Sequence, residues 1–150
     1  MRNNIFTTRY FFNYFFIRYT LLTPEHVGLP SDSNGTHILY NWYTGDITLL
    51  TPEPQTPAPG YEGHVYAVAT PIYEETWALL GETNKYTTHA SIRFKNIKAS
   101  KESFLVDVIG VKGETVHVCA VKIASMQPFH VVPVCKEIPF LEDGTTTVSF

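Results

Sequence analysis

From residue 37 onward the apolar residues recur at every second position, and that period decides what the chain can build. Side chains alternate faces along an extended strand, whereas one face of a helix repeats about every 3.6 residues. In HILYNWY (37–43), Ile38, Tyr40 and Trp42 fall on one side and Leu39, Asn41 and Tyr43 on the other. Thr44-Gly45-Asp46 reads as a turn and ITLL (47–50) as the return strand of a hairpin. HVYAVATPI (64–72) and TWALL (76–80) follow, with Tyr-Glu-Glu between them. SIRFKNI (91–97) places Arg93 and Lys95 on one face, and SFLVDVIG (103–110) alternates Phe104, Val106 and Val108 against Asp107. VKGE (111–114) reads as a turn before TVHVCAVKIA (115–124). FHVVPVC (129–135) carries Pro133, which points to an edge or a bulge because proline cannot donate to a ladder. TTTVSF (145–150) closes the chain after Asp143-Gly144.

Short strands with turn signals roughly every 8 to 12 residues specify an all-β antiparallel sandwich of about eight or nine strands. No window has a convincing amphipathic helix. TPEPQTPAPG (51–60) holds four prolines and a glycine, which neither a central strand nor a helix interior tolerates. It is expected to be a stiff crossing between the two sheets of one domain. The division is an aromatic amino-terminal extension of uncertain structure, residues 1–22, and a sandwich domain, residues 23–150.

The extension, MRNNIFTTRYFFNYFFIRYTLL, is too short an apolar run to span a bilayer, because Arg18 interrupts it and a spanning helix needs about 20 apolar residues. No small-residue cleavage site marks a signal peptide. The compartment is therefore open, with a lean to the cytoplasm, and a membrane partner is not expected. Asn34-Gly35-Thr36 fits the glycosylation sequon, so Asn34 is an acceptor only if the chain is secreted.

At 44% hydrophobic, 150 residues can bury a real core. Charged residues make up 17%, below the roughly 25% usual for globular chains. The net charge is −3 and the eleven Lys and Arg are scattered, so the basic footprint of a nucleic-acid binder is missing. Cys119 and Cys135 are the two cysteines. They fall in neighbouring strands, where geometry allows a bridge. Two reduced, buried thiols are the preferred expectation, since free cysteine packs as a small apolar residue.

Reactive constellations are hard to find. Glu74 and Glu75 are adjacent, point to opposite faces of a strand, and read as solvated turn residues, as do Glu142 and Asp143. Asp107 reads as a lone aspartate on an outer sheet face. The six histidines, His26, His37, His64, His89, His117 and His130, show no HxH or HExxH spacing, so no metal ion and no other cofactor is expected. There is no GxSxG elbow and no phosphate loop. Aromatic rings can stack on the apolar faces of sugars, but they also fill cores. Tyr61, Tyr73 and Tyr86 lie in expected loops and are the candidates for carbohydrate contact.

The order of "YNW", "TGDITLL", "ATPI", "WALLGETNKY", "SIRF" and "FLVDVIGVKGETVHVCAV" over residues 37–150 resembles the carboxy-terminal β-sandwich of glycoside hydrolase family 36. The likeness is to its raffinose synthase, seed-imbibition and alkaline α-galactosidase branch. Family members carry their catalytic aspartates in a preceding (β/α)₈ barrel, which takes about 250 residues. No barrel is present here, so no catalytic residue carries over. The resemblance implies a non-catalytic accessory sandwich whose partner is such a barrel, left by truncation or surviving alone. In WALLGETNKY, Leu79 and Leu80 would end a buried strand, Gly81 would allow a turn, and Lys85 and Tyr86 would lie on the rim. A bend is preferred to a substrate loop. A stand-alone carbohydrate-binding module and a small secreted interaction domain are the alternatives.

Overall fold

A computed structural model describes residues 14–17 by their backbone, together with 21–32, 34–60, 65–85, 88 and 90–150. Among them there is no α-helix. The described residues form ten strands, β1 (Tyr14–Ile17), β2 (His37–Asn41), β3 (Ile47–Leu49), β4 (Val65–Pro71), β5 (Trp77–Gly81), β6 (Phe94–Ala99), β7 (Phe104–Gly110), β8 (Thr115–Met126), β9 (Phe129–Pro139) and β10 (Gly144–Ser149). All pair antiparallel, in three sheets ordered β1-β4-β2-β3, β5-β8-β9 and β10-β7-β6. Every strand segment expected from the sequence is present.

The sheets stack so that the middle one, β5-β8-β9, meets an apolar layer on each side. Trp77, Leu79, Val116, Val118 and Ala120 pack against Phe94, Phe104, Val106, Val108 and Val148 of the β10-β7-β6 sheet. The opposite faces of the same strands, Ala78, Leu80, Cys119 and Val121, pack against Ile38, Tyr40 and Val68 of the first sheet. That sheet buries its other face too, with Leu39, Val65, Ala67 and Ala69 covered by Leu22, Val27 and Leu50. A short 3₁₀ turn, Pro24–Val27, supplies Val27 and stops at Gly28, which sits at φ 73°.

Burial on both faces explains the unbroken apolar runs. β4 (VYAVATP) and β5 (WALLG) have no solvent side to leave polar. β7 shows clean alternation because only Phe104, Val106 and Val108 point inward. Each such side chain contributes about 1.5–3 kcal/mol through the water it leaves. Buried Thr70 spends its hydroxyl on the Leu79 carbonyl, 2.9 Å away, and so ties β4 to β5 between sheets. Pro133 lies on β9, an edge strand of the middle sheet, where a missing N–H leaves no gap in a ladder.

Two expectations are corrected. The proline-rich stretch does not cross between sheets, because β3 and β4 belong to the same sheet with β2 between them. The stretch passes beside β2, and Gln55 exchanges backbone hydrogen bonds with Leu22 at 2.7 and 2.8 Å. The cysteines are not reduced thiols. Cys119 and Cys135 stand directly opposite in the β8–β9 ladder and form a disulfide, with Cα atoms 4.1 Å apart. Cross-strand register brings the sulfurs together, which counting along the chain does not reveal.

Candidate functional site

The loops at one end of the β5-β8-β9 and β10-β7-β6 sheets gather four charged residues. Gly81 adopts φ 78° at a β-bulge and turns the chain so that Glu82 follows inward. Arg93 sits in the turn before β6, held by its N–H on the Ala90 carbonyl at 2.9 Å. Glu114 closes the β7–β8 turn, with its N–H on the Val111 carbonyl at 3.0 Å. Arg93 grips Glu114 with both terminal nitrogens, at 2.8 and 2.5 Å, and reaches Glu82 Oε2 with Nε at 3.1 Å. Its Nη1 also donates to the Ile109 carbonyl at 2.6 Å. Lys85 Nζ lies 2.5 Å from Glu82 Oε1, an ionic contact outside hydrogen-bonding angles. The Glu82 side chain is 4% exposed and that of Glu114 20%.

This arrangement holds Glu114 in the charged state. The hydrogen bond from Arg93 dominates, and Glu114 is held down to about 2. The same bond raises Arg93 further. A general acid needs a proton to give near working pH. Glycosidase chemistry further needs space between two carboxyls for the scissile bond. Here a guanidinium fills that space. The cluster's evident work is to tie three loops together.

A second feature is a cleft of about 590 Å³ beside the β2–β3 hairpin, bounded by the proline-rich stretch. Leu39, Ile47, Pro57 and Ala58 contribute to its apolar lining, and Asn41, Asp46, Thr48, Gln55 and Thr56 to its polar lining. Asn41 is fixed by donating to the Ala58 carbonyl at 2.8 Å and accepting from the Tyr43 N–H at 3.1 Å. Thr44 donates to Asp46 Oδ2 at 2.7 Å. Gln55 Nε2 donates to the Leu49 carbonyl at 2.8 Å, while its buried Oε1 has no protein partner. Small polar ligands are held by such clefts, where a few oriented groups accompany an apolar lining.

Of the residues singled out for sugar contact, Tyr61 and Tyr86 lie outside the described residues. Tyr73 is half-buried, its ring centroid 5.8 Å from that of Phe104, and burial raises its hydroxyl pKa. Asn34 is exposed in the bend before β2. Asp107 sits on the outer face of β7, accepting from Thr147 and Asn96 at 2.6 and 2.8 Å, which lowers its pKa. Lys85 lies on the rim but is engaged with Glu82 and Glu114 rather than free. The charge cluster escaped the sequence reading because its members come from three separate turns. The cleft left a faint sign, since Asn41 is the polar member of the face that Leu39 begins.

No protein-family model matches the chain, and neither a curated protein nor a solved structure is found similar to it.

Proposed function

We propose that the chain is a non-catalytic accessory β-sandwich of a carbohydrate-active protein, in the manner of the module that follows the barrel in raffinose synthases and α-galactosidases. The observation that carries this reading is the Arg93 cluster. Glu82 and Glu114, the two carboxylates that meet at the cluster, are both committed to one guanidinium. The family-like segments "ATPI" and, as far as Lys85, "WALLGETNKY" fall on β4, β5 and the loop that leads to this cluster, where they serve packing and turning. Purified chain assayed on nitrophenyl α-galactoside and on raffinose should give no turnover above buffer. Robust turnover would sink the proposal.

A second reading, a stand-alone carbohydrate-binding module, is favoured by the cleft. Amide and carboxylate groups beside an apolar lining suit sugar hydroxyls, and Gln55 Oε1 is an acceptor still to be used. Calorimetry with galactose, raffinose and soluble polysaccharides should then give heat that Gln55→Ala removes. Silence with every sugar would eliminate this reading.

A further inference from the structure

We propose that the β8–β9 hairpin carries a redox-gated site for a thiophilic divalent cation such as Zn²⁺, with Cys119, Cys135 and His117 as ligands and Glu137 orienting the histidine. The register places Cys119 opposite Cys135 and, two residues along on the same face, His117 opposite Glu137. The three ligand atoms lie within 4.8 Å of one another. His117 Nε2 stands 3.2 Å from Cys119 Sγ, while Nδ1 is 2.5 Å from Glu137 Oε1. With the proton on Nδ1 and donated to Glu137, the Nε2 lone pair faces the sulfurs. Zinc-bound histidines are usually held this way, the second nitrogen donating to a carboxylate.

Distances suit the ion. Zn–S bonds of about 2.3 Å and Zn–N bonds of about 2.0 Å, set tetrahedrally, put donor atoms about 3.5–3.8 Å apart. Rotation of the two cysteine side chains after the disulfide opens is enough to reach that spacing from the observed cluster. Cys119 is buried against Val121 and Leu80, whereas Cys135 is exposed on the edge strand. The incoming reductant therefore meets Cys135, and the fourth coordination position faces water. Three protein ligands and an open fourth position make a labile or catalytic site more than a closed structural one.

The chemistry balances in two steps. Two equivalents of a thiol reduce the disulfide, the reductant leaving as its own disulfide and each cysteine sulfur taking a proton. The cation then displaces both thiol protons to solvent and binds two thiolates and the neutral imidazole. In the oxidised chain the sulfur lone pairs belong to a disulfide, a poor ligand, and the site is closed.

The test uses the full chain, reduced with a water-soluble phosphine and titrated with Co²⁺ as a spectroscopic stand-in for Zn²⁺. The reduced chain should bind about one ion, with thiolate-to-cobalt charge transfer and tetrahedral visible bands, and added Zn²⁺ should bleach them. The untreated chain should show neither. Cys135→Ser, which leaves one thiolate of two, should cut the thiolate band by about half or more and weaken binding, and Glu137→Gln should weaken binding about 10-fold or more. His117→Ala should weaken it further while leaving the oxidised fold, read by circular dichroism, unchanged. Absence of the bands in a reduced chain that stays folded overturns the proposal, as does undiminished affinity in His117→Ala. A reduced chain that unfolds and is not refolded by Zn²⁺ overturns it equally.

Discussion

Arg93 concentrates more electrostatic work than any other described side chain, serving two carboxylates and one carbonyl. Removing it leaves Glu82 buried with only Lys85 beside it. Breaking a buried pair from one side costs about 3–5 kcal/mol, because the remaining charge stays out of water. Arg93→Ala should therefore lower the urea midpoint steeply, with Arg93→Lys recovering little, since lysine lacks the planar fork. Glu114 makes a pH prediction of definite sign. Its pKa is depressed to about 2 from an ordinary 4.5, so its stabilising contribution is complete above 4.5 and is lost as pH falls toward 2. Urea midpoints measured across that window should fall for the native chain and fall less for Glu114→Gln. Some slope should remain, because Asp107 is shifted in the same direction by Thr147 and Asn96. Gly110 is a third sensitive position. A Cβ there would overlap the Phe140 ring, which is packed in the core. Gly110→Ala should cost about 1–3 kcal/mol by overpacking, and Phe140→Leu in the same chain should return part of it in a double-mutant cycle.

Among the elements, the β4–β5 connection is the one whose sequence argues with its conformation. Glu74 and Glu75 take φ 48° and 56°, the left-handed region, while the Thr76 N–H closes the turn on the Tyr73 carbonyl at 3.0 Å. Two successive positive φ values define a turn that favours Asn-Gly. Holding an ordinary residue there costs roughly 1–2 kcal/mol. Glu74→Asn with Glu75→Gly should raise the melting temperature, and a lower one would show that the glutamates have a role the backbone does not reveal. The same contrast explains what the sequence made legible. Period-two alternation, and for β4 and β5 short apolar runs bounded by turn residues, located β2 to β10, and Gly45, Gly81 and Gly113 marked turns that do adopt positive φ. β6 is displaced, starting at Phe94, because residues 91–93 are drawn into the turn that aims Arg93 at Glu114. The disulfide and the charge cluster depend on register and on loops meeting in space. Neither has a spacing signature along the chain. The cleft needs the proline-rich stretch to fold back on β2, and its prolines announce stiffness but not direction.

At the scale of the molecule, the three sheets are not joined equally. The middle and β10-β7-β6 sheets exchange the chain three times, through β5–β6, β7–β8 and β9–β10. The first sheet is joined to them once, through β4–β5, with hydrogen bonds from Thr70 to the Leu79 carbonyl and from Trp42 to the Lys85 carbonyl, and one apolar layer, across the gap. Interleaved sheets cannot separate without breaking their shared core, whereas the first sheet can loosen by giving up that single layer. Parts of a protein open with their own free energies, and weakly tied units open first. Amides of β8, flanked on both edges by strands and on both faces by apolar layers, should exchange with solvent last. Leu80 reaches into the layer toward the first sheet, and Leu79 into the other. Leu80→Ala should cost about 2–5 kcal/mol, but its effect on exchange should be uneven. Protection in β2 and β4 should fall at least about 10-fold more than in β7, because the lost contacts belong to the separable layer. Leu79→Ala should instead lower protection throughout the two interleaved sheets. Equal acceleration of β2 and β7 in the Leu80 variant would mean that the three sheets open as one unit.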